Sequence, residues 1–162
     1  KFRSIQAKIT QETIKALGAN PVPLAVPELY TALETRTIDG QGTPNAVIAA
    51  LKLYEVQKYL SITRHSYGAF IPLVSKAFWD KLTPEQQKIL KDSAVEARTY
   101  QRQVARAQAQ SAKETMAKHG MEINEVSDAE HDRMRERVQP VWQMFIPSVG
   151  QDLFDQVQAE LK

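Results

Sequence analysis

Residues 37–57 read TIDGQGTPNAVIAALKLYEVQ, and the fold follows from how this stretch is read. Asp39-Gly40 and Gly42 allow positive φ at little steric cost, so a tight turn is expected there. Thr43 stands where an N-cap belongs and Pro44 at the first helical position. Ile48, Leu51 and Tyr54, with Ala50, then recur at three- and four-residue spacing, one apolar face of a helix. A glycine-flanked turn opening a helix leaves backbone N–H groups that attract a carboxylate or phosphate. The plainer alternative is an ordinary strand–turn–helix junction.

Working back toward residue 1, the chain alternates strand and helix signals. Lys1–Gln6 (KFRSIQ) reads as a short strand. Thr10–Leu17 reads as a helix with Ile9, Ile14 and Leu17 on one side, stopped by Gly18. The prolines at 21, 23 and 27 limit Asn20–Val26 to a short or edge strand. Pro27 opens the next helix, PELYTALET, with Leu29 and Leu33 inward. This β-α-β-α order predicts an α/β fold with a parallel sheet.

Working forward, Tyr59–Val74 has no helical period and reads as a long extended segment whose end, at Pro72, is not a central strand. Thr83-Pro84-Glu85-Gln86 is a capping box with proline at N1, and no Gly or Pro follows until after His119. A helix of that length would run about 50 Å at 1.5 Å per residue, a brace longer than a small domain is wide. No a/d heptad survives past Val95, which argues against a coiled coil. Gly120 ends the helix, and Met121–Val126 reads as a strand. Ser127-Asp128-Ala129-Glu130 is a second capping box. It opens a helix to about Phe145 with Met134, Val138, Val141 and Phe145 on its apolar side, broken by Pro147 and Gly150. Leu153, Val157 and Leu161 mark a terminal helix.

Composition sets the bounds. The 162 residues suffice for one domain with a core; 43% are hydrophobic, and the net charge of +2 is too small to imply nucleic acid. No cysteine is present, so disulfide and thiol chemistry are out. No run approaches the roughly 18 apolar residues of a membrane span. No signal-peptide pattern is found and the first residue is lysine, so the natural N-terminus is expected to lie elsewhere.

The runs ELYTALETRTIDGQGTPNA (28–46) and KLYEVQKYLSITRH (52–65) resemble the solute-binding proteins of tripartite ATP-independent periplasmic (TRAP) transporters, the C4-dicarboxylate and sialic-acid receptor family. There the pattern is close to E-V-Y-x-A-L-Q-x-x-x-V-D-G-Q-E-N-P, then F-Y-E-V-Q-K-Y-L and a histidine. The match runs without gaps from Lys1 to about Ala97 and more loosely to the end, and covers only the second half of a receptor. The resemblance implies the helix-rich second half of a two-lobed periplasmic-binding-protein-like fold with a long brace helix. Residues 1–60 would form a ligand-binding lobe and 61–82 an inter-lobe strand and hinge. Residues 83–120 would be the brace, and 121–162 a C-terminal strand and helices packing on the lobes.

The resemblance also implies site residues. Arg3, in K-F-R, falls on the family's ligand-carboxylate arginine, a task suited to a planar donor fork. Thr43 takes the place of an asparagine that donates to ligand, and Gly42 that of a glutamate. Val26 stands where several members place an aromatic on the ligand, and His65 matches a histidine near cleft and hinge. Threonine offers one donor hydrogen, and valine leaves a roomier pocket.

Elsewhere the chemistry is sparse. Arg98, Arg102 and Arg106 form a basic stripe read as a solvated helix face. His65, His119 and His131 lack metal spacing, and no nucleophile–base pair or cofactor fingerprint appears. The expectation is therefore a periplasmic receptor, not an enzyme, with no cofactor. Its partners would be an organic acid and the membrane permease subunits, and not nucleic acid. Alone, the fragment would form a homodimer or swapped dimer, or else carry a disordered 64–80 segment. The alternatives are a small α/β enzyme acting on a carboxylate and a basic helical nucleic-acid module.

Overall fold

The first strand, β1 (Phe2–Ser4), is the centre of the structure, a computed structural model that describes residues 1–160. It is followed by α1 (Lys8–Ala16), β2 (Pro21–Pro23), α2 (Leu29–Glu34), β3 (Gly40–Gln41) and α3 (Asn45–Ala50). Strands order β2-β1-β3, all parallel, with Phe2 opposite Pro21 and Gly40, and Arg3 opposite Val22 and Gln41. The proline-bounded β2 is an edge, as its sequence required. Right-handed crossovers to opposite sides of β1 place α1 and α2 on opposite faces of the sheet.

The stretch 37–57 departs from expectation in three ways. Gly40 is not in a positive-φ turn: positive φ among glycines is confined to Gly18, Gly120 and Gly150. Gly40 pairs in extended β3 instead, and a Cβ there would meet the Phe2 ring at 3.0 Å, so the glycine makes room for an aromatic. Thr43 does not cap α3. Pro44 is the N-cap residue, at φ −57° and ψ 143°, and its carbonyl takes the N–H groups of Val47 and Ile48. A proline holds the residue before it extended, which keeps Thr43 out of the helix. Third, α3 closes after six residues; Lys52 turns the chain at φ 52° into a 3-10 turn at Leu53–Glu55.

On one face of the sheet, Leu29 and Leu33 of α2 pack with Ile38, Ile48 and Leu53. Ala112, Met116 and Met121 complete this core from the far end of the chain. Leu29, Leu53 and Met116 have no exposed surface, each such side chain contributing on the order of 1.5–3 kcal/mol. On the other face α1 packs against α6 (Asp128–Val149), burying Ile14 and Val141.

The longest of the described helices is α5 (Pro84–Lys118), 35 residues long. Its capping box is reciprocal: Gln86 N–H donates to Thr83 Oγ1 at 3.2 Å and Thr83 N–H to Gln86 Oε1 at 2.9 Å. The strand β4 (Tyr59–Ile62) pairs in parallel with β5 (Glu122–Glu125). Between β4 and the short α4 (Lys76–Trp79) the chain is irregular, so only the first four residues of the expected extended segment join a sheet. Tyr67, Phe70 and Leu73 there are 89, 99 and 88% exposed.

At the second capping box only one limb forms: Ser127 Oγ accepts the Glu130 N–H, while the Glu130 carboxylate turns to Arg133 at 2.6 Å. Pro147 does not stop α6. Both Pro140 and Pro147 lie inside it, the second only two residues from the end, where the loss of one N–H disturbs little; Gly150, at φ 91°, ends the helix. The terminal helix α7 (Gln151–Glu160) carries Leu153 and Val157, both about half exposed; Leu161 lies outside the described residues.

Candidate functional site

Arg3 is 6% exposed at the middle of the sheet. Its Nε donates to the Leu24 carbonyl at 3.0 Å. Among the described residues no carboxylate lies within ion-pair reach of its guanidinium, and neither Nη takes a protein acceptor. Neither Nη is among the side-chain atoms sealed from solvent without a partner, so the stem is buried while the edge of the fork stays open to water or a solute.

Three polar atoms of this part of the sheet are buried without a partner, Ser4 Oγ, Gln41 Oε1 and Thr43 Oγ1, with Ser4 on the opposite face from Arg3 because successive strand side chains alternate. Ser4 follows Arg3 on β1, Gln41 is opposite Arg3 on β3, and Thr43 lies two residues further on. Gln41 is steered by Gln57, whose Oε1 accepts from its Nε2 at 3.1 Å. The order β2-β1-β3 sends successive crossovers to opposite sides of β1, so the topological switch point falls at the carboxyl ends of β1 and β3. Parallel sheets bind ligands at that switch point.

His65 joins the site from the chain leaving β4. A methyl on Gly42 would lie 3.5 Å from its Nε2, an ordinary contact distance, which puts the imidazole directly beside Gly42. Its Nδ1 shares a 2.6 Å hydrogen bond with Thr63 Oγ1. Burial of the ring on this side lowers its pKa below the ordinary 6.5, keeping it neutral at pH 7, although the residue's outer side stays exposed. Between these two residues Arg64 takes a left-handed φ of 44° and pairs with Glu125, whose carboxyl pKa is lowered by Lys113 and Arg64.

The fold thus gathers Arg3, Thr43 and His65 around the ends of β1 and β3. Val26 is 41% exposed, in the 3-10 turn Val26–Glu28, two residues beyond Leu24, whose carbonyl takes Arg3 Nε. Sequence reasoning missed Gln41 and Gln57. The available signal was the glutamine in D-G-Q. Arg98, Arg102 and Arg106 are all exposed on α5. Two surface cavities, of about 460 and 230 Å³, lie elsewhere, one beside Trp142 and Phe154 and the other beside Leu17 and Met134. Among the described residues no three His, Asp or Glu are placed to hold a metal, and no helix is long and apolar enough to cross a membrane.

Residues 1–148 match the family model described as bacterial extracellular solute-binding protein, family 7 (DctP). The 2,3-diketo-L-gulonate-binding periplasmic protein YiaO of Escherichia coli is 37% identical over 93% of this chain and 46% of its own length. A TRAP periplasmic solute-binding protein from Ochrobactrum anthropi, solved with its C-terminus bound in its ligand-binding pocket, superposes with a TM-score of 0.89. It is 44% identical over 99% of this chain and 50% of its own. The sugar acid-binding protein of Advenella mimigardefordensis, solved with galactonate, gives 0.85 at 33% identity over 97% of this chain and 51% of its own. The chain spans about half the length of the curated relatives it matches. Both the resemblance and the helix-rich α/β architecture read from the sequence are borne out, and the chain belongs to bacterial extracellular solute-binding protein family 7.

Proposed function

We propose that this chain supplies the carboxylate-gripping lobe of a periplasmic receptor that binds an organic acid and delivers it to the membrane permease subunits of a TRAP transporter. The observation that carries this reading is Arg3, a buried residue whose guanidinium has no carboxylate partner among the described residues and an open Nη edge. A solute carboxylate would complete it with two parallel charge-assisted hydrogen bonds. Gln41, opposite Arg3 on β3, and Thr43, two residues further on, put more polar side chains at the same end of the sheet. Relatives of this chain are named for 2,3-diketo-L-gulonate and galactonate, both hydroxylated acids, and YiaO is named periplasmic. His65, neutral and beside Gly42, borders the same end of the sheet, and Val26 faces outward where an opposing wall would meet it.

The reading assigns 1–60 to the ligand lobe, 61–82 to the passage between lobes, 83–120 to the brace and 121–162 to the return. The exposed apolar side chains at 67–78 are then surface for the other lobe. Two lobes closing on the solute would bury what one wall leaves open. Its chemistry is capture rather than turnover.

The test is Arg3→Lys in the full-length receptor, by calorimetry against succinate, D-galactonate and D-galacturonate. A lysine cannot reproduce the two-pronged bond, so affinity for the strongest of the three is expected to fall about tenfold or more. Unchanged affinity, or no binding of any of the three by the unmodified receptor, would overturn the reading.

A further inference from the structure

The peptide group joining Leu24 to Ala25 is hydrogen-bonded at both ends. Its oxygen accepts from Arg3 Nε at 3.0 Å, and its N–H donates to Glu28 Oε2, also at 3.0 Å. A carboxylate and a guanidinium therefore face each other through a single peptide unit, without touching. The unit is fixed in place: Leu24 N–H donates to the Ser4 carbonyl at 3.2 Å, tying it to the residue after Arg3. Glu28 is held by the 3-10 turn Val26–Glu28, in which Pro27 presets the backbone.

The arrangement has an electrostatic direction. An anion at the N–H end polarises the amide and strengthens its oxygen as an acceptor for the cation at the other end. A direct Glu28–Arg3 pair would have occupied the guanidinium fork. Routing the contact through the peptide steadies the guanidinium, consumes only Nε, and leaves Nη1 and Nη2 for an incoming carboxylate.

We propose that Glu28 is a positioning residue for Arg3, acting through the 24–25 peptide to fix the edge of the guanidinium that meets the solute. The inference rests on the carboxylate-binding reading. Glu28 itself is exposed, so solvent screens its charge and the expected effect is modest.

In the full-length receptor, with the strongest binder among succinate, D-galactonate and D-galacturonate, Glu28→Ala is expected to weaken binding about three- to tenfold, the scale of one ordinary hydrogen bond, because solvent screens the exposed carboxylate. Glu28→Gln keeps an acceptor for the Ala25 N–H and should recover most of that loss. In an Arg3→Lys background Glu28→Ala should change affinity no further. The Arg3 Nε–Hε resonance should shift and exchange faster in Glu28→Ala, a response that general loosening of the turn would not give selectively. Equal loss in the Arg3→Lys background, or unchanged affinity in Glu28→Ala, overturns the inference. If Arg3→Lys weakens binding while Glu28→Ala does not, only this inference falls. If Arg3→Lys is silent, the carboxylate reading falls and takes this one with it.

Discussion

The two ends of α5 live in different surroundings. Near its C-terminus Ala112 and Met116 are 5 and 0% exposed; near its start Ile89 and Val95 are 58 and 53% exposed. Both ends are built from the same good helix formers, and both are helical. Local propensity and the Thr83–Gln86 box therefore account for the helix, and tertiary contacts decide only where it is covered. One end is planted in the core below the sheet. The other end, with Tyr67–Val74 beside it in sequence, offers apolar surface with nothing over it.

The largest expected effect is on stability. Met116→Ala should cost on the order of 2–5 kcal/mol in urea unfolding of the 162-residue chain, by lost burial and a cavity. Ile89→Ala should change it by less than about 0.5 kcal/mol. Similar losses at both positions would mean that the exposed end has found a partner of its own.

A second effect is self-association. The uncovered side chains of Tyr67, Phe70, Ile71 and Leu73 make a contiguous run. Such runs recruit another chain, so light scattering should find the isolated 162-residue chain dimeric. The double substitution Phe70→Asp with Leu73→Asp should return it to monomer. A monomeric unmodified chain with slow amide exchange from Phe70 to Val74 would contradict this and place that segment in a closed core.

The smallest effect concerns pH, at the boundary between the two regions. His65 has its pKa lowered by burial from 6.5, so unfolding takes up a proton between the folded value and 6.5. The contribution is fully present above pH 6.5 and declines as pH falls through that window. His65→Gln should remove this part of the slope in thermal scans between pH 5 and 7, as read against the unmodified chain. An unaltered slope would place the ring in open solvent.

Much of the fold was legible because its signals are local. The Thr83–Gln86 box, the stops at Gly18 and Gly120 and the proline-bounded edge strand each depend on neighbours a few residues away. Gly40 was misread because its reason is distant: the Phe2 ring comes over it only when β1 and β3 pair. Pro147 was misread because a proline near a helix end removes a single bond and need not stop the helix. At the site, Arg3 was found through the resemblance, but its isolation from carboxylates is a property of packing. Gln41 and Gln57 stayed hidden for the same reason: only the register that sets Arg3 against Gln41 brings these ordinary polar residues to the same end of the sheet.

The pairing of β4 with β5 also has a consequence in time. Ser61 and Asn124, joined side chain to side chain at 2.9 Å, are 63 residues apart in the chain. A ribosome adding about 5–20 residues per second needs roughly 3–13 s to make that interval. Throughout it β4 waits without its neighbour, and Leu29, Ile38 and Leu53 wait without Met116. Closing so long a loop is slow and must precede the contacts that reward it. The three-stranded sheet is therefore made well before the core beside it can close, and a nascent chain stalled before residue 116 should be the form most dependent on a holding chaperone.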